Sequence, residues 1–110
     1  MIDRVLTQIW VQAQIRICDM RNIPIYVRHK GDPDAGAVLI KLNGLTEGSV
    51  ILSQVTGAER SEWMRATGEA PVPDSDAEAY IERQLKWDAD LWVLEIEDPK
   101  LQYVIDRKII

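Results

Sequence analysis

Arg28–Leu42 reads RHKGDPDAGAVLIKL, and the fold turns on how this stretch is read. On its N-terminal side Ile25, Val27 and His29 alternate with Tyr26 and Arg28. On its C-terminal side Val38, Ile40 and Leu42 alternate with Leu39 and Lys41. Both are period-two patterns, the signature of strands. Between them lies Gly31-Asp32-Pro33-Asp34-Ala35-Gly36. Each residue type there suits a turn: Asp32 accepts from backbone N–H groups, Pro33 presets φ, and Gly36 can take positive φ. The reading is an antiparallel hairpin with charges of both signs at its tip.

Working outward, Ile2, Val5, Leu6, Ile9, Trp10, Ala13, Ile17 and Met20 recur at intervals of three and four. They predict an amphipathic helix over about 3–21, with Asp3 as N-cap, Asn22 as a left-handed cap and Pro24 preventing continuation. Val11, Ile15 and Cys18 form a second, weaker stripe. Beyond the hairpin, Asn43-Gly44 and Glu47-Gly48 are turn signals, 49–55 reads as a third strand and 62–67 as a short fourth. After the linker containing Pro71 and Pro73, Ser75 with Glu78 makes a capping box for a helix over about 76–87. Residues 91–97 are the most apolar strand candidate, and 101–106 is read as a last strand, with a final helical turn as the alternative. Helices at either end of a strand run predict an α+β fold: an antiparallel sheet of about five strands, a four-strand meander plus one or two C-terminal strands. Two helices are expected to cover one face, leaving the other partly solvated or free for association.

The 110 residues fit one domain, 1–110, with an ordinary 46% hydrophobic and 28% charged share. Phe is absent, so four Trp and three Tyr carry the aromatic bulk. Trp10 and Trp92 are expected inside, Trp63 or Trp87 outside. A single Cys18 excludes an internal disulfide framework and suits a reducing cytoplasm. The first 18 residues lack the continuous apolar run of a signal peptide, and no window approaches a membrane span. The net charge of −5 argues against general nucleic-acid binding. Its distribution is uneven: residues 1–30 hold five Lys/Arg against two Asp/Glu, and residues 31–110 eight against sixteen. The early positive charges can gather in a patch, or the two halves can attract each other within one fold.

Arg28–Leu42, and again Lys86–Asp98 (KWDADLWVLEIED), resemble a family of small uncharacterised alphaproteobacterial proteins, domain of unknown function 1491. Ile9-Trp10-Val11 and Pro71-Val72-Pro73 are also similar to it, so the resemblance spans nearly the whole chain. His29-Lys30 stands where the family suggests a more arginine-rich pair. The resemblance implies a bacterial, soluble, single-domain protein and carries no activity, cofactor or catalytic residue.

Several constellations invite chemistry. Asp32 and Asp34 supply too few oxygens for calcium, and the glycines around them precede a strand where a phosphate loop needs a helix. His29 is the only histidine and stands with one distant cysteine, so no metal site is expected. Arg28 and Lys30 could hold an anion with help from Arg65 or Lys41; otherwise they form an exposed charged end. Asp88, Asp90, Glu95, Glu97 and Asp98 are the best carboxylate cluster, with Glu95 and Glu97 either facing solvent or meeting bases on a neighbouring strand. Trp63 with Arg65, and Trp87 with Trp92, offer stacking surfaces or core packing. No catalytic set is complete, and no cofactor is expected. The leading expectation is a cytoplasmic interaction module with a protein partner or a second copy, the latter as a homodimer, and no nucleic acid or membrane. The alternative is a small-molecule or anion-binding protein, conceivably an enzyme, using Arg28, Lys30, Arg65, Trp63 and Glu95.

Overall fold

A computed structural model describes residues 6–54 and 63–101. Two helices, α1 (Thr7–Met20) and α2 (Asp74–Trp87), sandwich a sheet of β1 (Ile25–His29), β2 (Val38–Asn43), β3 (Ser49–Gln54), β4 (Trp63–Arg65) and β5 (Trp92–Glu97). The expected α+β class, two helices and five strands are all present. Asp3 and the segment 102–106 lie outside the described residues.

The strand order is β1-β5-β2-β3-β4, so the meander and the purely antiparallel sheet are overturned. β5 lies between β1 and β2, antiparallel to the first and parallel to the second. Composition gives the reason. β5 and β2 are buried on both faces over most of their length, which suits central strands. β1 carries Tyr26 and Arg28 and takes the edge. The stretch Gly31–Gly36 is consequently not a hairpin tip. It steps across the start of β5, spanning two strand spacings, about 9.5 Å, more than a tight turn covers.

That crossing is tied down on both sides. Asp32 N–H donates to the Asp90 carbonyl at 3.0 Å, and the Trp92 indole donates to the Asp32 carbonyl at 2.7 Å. The Asp32 carboxylate accepts from Ala35 N–H at 2.8 Å, as its turn chemistry predicts. Gly36, however, does not take positive φ. A Cβ there, or on Gly31, would run into the Asp90 carbonyl. Close backbone approach, not torsional freedom, requires both glycines.

The helices cover opposite faces, not one. Trp10, Val11 and Cys18 of α1 pack on Val38, Ile40, Leu42, Val50, Trp92, Leu94 and Ile96. Ala77 and Ile81 of α2 pack on Leu39, Ile51, Leu91 and Val93. These two sets alternate along β2 and β5, as a sheet buried on both sides demands. Asn22 ends α1 at φ 58°, with Ile23 N–H returned to the Cys18 carbonyl at 2.8 Å. The capping box is not formed. α2 begins at Asp74 after Pro73 without a side-chain cap, and Glu78 has other partners.

Candidate functional site

One residue on the α2 face breaks the apolar pattern. Lys41 belongs to a strand whose other residues are apolar up to Asn43, and its side chain is only 3% exposed. Register sets it beside Glu95 of β5. Above it pass the first turns of α2, where Asp74 and Glu78, four residues apart, project from one helical face. The Lys41 ammonium lies 2.5 Å from Asp74 Oδ1, 2.5 Å from Glu78 Oε2 and 3.9 Å from Glu95 Oε2.

Arg28 closes the cluster from the edge strand. The β1–β5 register shifts between Val27 and His29. That irregularity puts His29 opposite Val93 and lets Arg28 reach over the sheet. Arg28 donates to Glu95 Oε1 at 2.5 Å and, with both terminal nitrogens, to Glu78 at 2.8 and 3.1 Å. Asn43 Nδ2 donates to the second Glu95 oxygen at 2.8 Å. Tyr26 OH donates to Glu97 at 3.3 Å.

The electrostatics follow from this geometry. Hydrogen bonding from Arg28, opposed by partial burial and aided by Lys41, holds the Glu78 carboxyl down at about 2. Hydrogen bonding to Glu78 holds the Arg28 guanidinium above its ordinary range, with Glu95 adding to it and burial opposing. Burial pulls Lys41 down, but hydrogen bonds to Asp74 and Glu78 and the Glu95 charge outweigh it, so its pKa is raised. The Glu97 charge, with smaller contributions from burial and Glu95, raises the Tyr26 phenol. Two cations and three carboxylates satisfy one another, and Arg28, Lys41 and Glu78 are each shifted toward the charged form. Such a set braces a helix on a sheet.

Of the five residues the sequence offered for binding, Arg28 and Glu95 meet. The others are elsewhere. Lys30 is exposed beyond the end of β1. Arg65 lies on β4, at the opposite edge of the sheet, and donates to the Glu69 carbonyl at 3.3 Å. Trp63 stacks on Trp10, with centroids 5.6 Å apart, against the α1 core. Trp92 is buried and Trp87 is 86% exposed, so those two do not form a common surface. His29 Nδ1 meets the Leu91 carbonyl at 2.7 Å, and Cys18 is buried. No group of metal-ligating residues occurs among the described residues, and no described helix is long and apolar enough to cross a membrane.

Sequence reading missed the centre of the cluster. Lys41 entered only as a helper and Glu78 as half of a capping box, while Asp74 was not singled out. The signal was the lysine itself: in a strand buried on both faces it demands carboxylate partners.

Comparison with known proteins bears on the whole chain. No curated protein matches. Solved structures do. The chain is 33% identical to a DUF1491 family protein from Caulobacter crescentus in a crystal structure, covering 94% of each chain with a TM-score of 0.80. An NMR structure of a DUF1491 family protein from the same organism gives 40% identity, 87% of each chain and a TM-score of 0.73. The solution structure of protein Atu0922 from A. tumefaciens gives 25% identity, 89% of each chain and a TM-score of 0.73. The model of the family "Protein of unknown function (DUF1491)" matches residues 5–106, and the chain belongs to that family.

Proposed function

We propose that this protein is a small bacterial interaction module of the cytoplasm that self-associates and does not catalyse. The observation that carries the reading is the closure of Arg28 on Glu78 and Glu95. The cation best placed to take an anion is already paired with two carboxylates, and it holds Glu78 ionised. Exposed apolar side chains argue in the same direction: Leu6 just before α1, Ile9 and Met20 on it, Tyr26 and Val27 on β1, and Trp87. The single cysteine, buried Cys18, suits a reducing compartment, and relatives from Caulobacter crescentus and A. tumefaciens support a bacterial origin.

Light scattering on the purified chain tests the reading. The expected mass is twice the 12.6 kDa of one chain. A monomer at every concentration, together with a metabolite that raises the thermal midpoint of the native protein and not of Arg28→Ala, would replace it with a ligand-binding function.

A further inference from the structure

Among the described residues the sheet ends at β1, and the main chain of that strand shows what the edge offers. Glu97 N–H donates to the Pro24 carbonyl at 3.0 Å. With Ile25 opposite Ile96, the alternation of an antiparallel ladder turns the main-chain groups of Pro24 and Tyr26 toward β5. Those of Ile25 and Val27 turn away from the sheet. Among the described residues no strand lies outside them. Tyr26 is 50% exposed and Val27 42%. Pro24 has no N–H, but its position faces inward, so the outer edge loses no donor.

We propose that β1 pairs antiparallel with β1 of a second copy about a two-fold axis at Tyr26, joining two five-stranded sheets into one of ten strands. This deepens the self-association proposed above and rests on it. Register is argued from the outward groups. With Tyr26 opposite Tyr26, Ile25 of each copy faces Val27 of the other, and all the outward N–H and C=O groups of these residues find partners. Moving the axis to Val27 runs the pairing into the irregularity at Arg28. Moving it to Ile25 sets Val27 against Ile23, before the strand begins.

The same axis matches charge. Exposed Lys30 follows the end of β1, and the start of the strand lies beside Glu97, the last residue of β5. The two-fold sets the basic end of one copy against the acidic end of the other. A flexible exposed lysine such as Lys30 is also a residue that keeps edges from pairing indiscriminately, which here favours the one partner with a carboxylate in reach.

Cysteine crosslinking in the full chain tests the register. Residues opposite each other in a non-hydrogen-bonded pair have Cα atoms about 4.5 Å apart, inside the disulfide range of about 4.4–6.8 Å. Tyr26→Cys is expected to give a covalent dimer under mild oxidation. Val27→Cys is expected not to, because the two copies of that position lie roughly 8 Å apart along and across the pair. Cys18 is buried and serves as a silent background. Tyr26→Lys, which sets like charges face to face, is expected to halve the mass in solution with its circular dichroism unchanged. If the native chain is a dimer and Tyr26→Cys stays uncrosslinked, or Val27→Cys crosslinks as readily, the β1 pairing is overturned while self-association stands. If the native chain is a monomer, both fall.

Discussion

Lys41 Nζ lies 2.5 Å from Glu78 Oε2 across 37 residues of sequence, and this contact fixes where α2 sits on the sheet. A cation beneath the N-terminal turns of a helix has the wrong sign for the helix dipole. Asp74 and Glu78 supply the negative charge between them, and Arg28 and Glu95 extend the compensation to the edge strand.

Removing the centre of the cluster exposes its cost. Lys41→Met leaves three carboxylates with only Arg28 to oppose them. Breaking an enclosed pair from one side costs about 3–5 kcal/mol. Asp74 and Glu78 are partly solvated here, so a loss of roughly 1–3 kcal/mol is expected from urea unfolding, within the usual span of mutational effects. Adding Glu78→Gln to Lys41→Met is expected to cost less than the two single losses together, because the second change removes a charge the first had stranded.

Acid should find the same contact. The Glu78 carboxyl is held at about 2 in the folded chain, below its ordinary 4.5. A lowered folded pKa gives stability that is complete above the ordinary value and is lost as pH falls toward the folded one. Thermal midpoints measured between pH 5 and pH 2, limits set by that shift, should therefore decline, and Glu78→Gln should flatten the decline. Lys41 is raised instead, so its contribution is complete in the neutral range and is lost only at alkaline pH, above the ordinary lysine value.

The crossing over β5 makes a sharper steric test. A Cβ at Gly31 would overlap the Asp90 carbonyl group, which is backbone and cannot swing aside. Gly31→Ala is expected to destabilise by roughly 1–3 kcal/mol, the range for overpacking. Gly68→Ala meets no neighbour and should cost only the strain of its φ of 98°.

Two tryptophans should respond oppositely. Trp92→Phe leaves the Asp32 carbonyl with Gly36 N–H at 3.2 Å but without its 2.7 Å indole donor, for a loss of about 0.5–1.5 kcal/mol. Trp87→Ala changes an almost fully exposed side chain and should fall within about 0.5 kcal/mol of the native chain. Denaturant curves on the two variants check both.

The elements were legible because each has a local cause. The period-three-and-four run that placed Trp10 inside, the Asn22 cap and the turns around Leu45 are written in neighbouring residues. The sheet order was not, since the alternation of Ile25–His29 and Val38–Leu42 is the same whether the strands touch or a third lies between them. Only the apolar character of 91–97 hinted that this late strand would claim the centre. For Glu95 two alternatives stood open, solvent or bases on a neighbouring strand, and it meets Arg28; Asp74 and Glu78 were missed because a helix N-terminus explains acidic residues without any partner. Trp63 was left between a stacking surface and core packing; it stacks on Trp10 against the α1 core.

The claim on which the account stands is that Arg28 belongs to an internal brace and not to a ligand site. The direct measurement is the thermal midpoint of the native chain and of Arg28→Ala, each titrated with inorganic phosphate and with a dicarboxylate. The account expects Arg28→Ala to melt several degrees lower without ligand, about 4–8 °C for each kcal/mol lost in a domain near this size, and neither protein to gain stability from the anions beyond the effect of added salt. A saturable rise in the native midpoint that Arg28→Ala abolishes would contradict it.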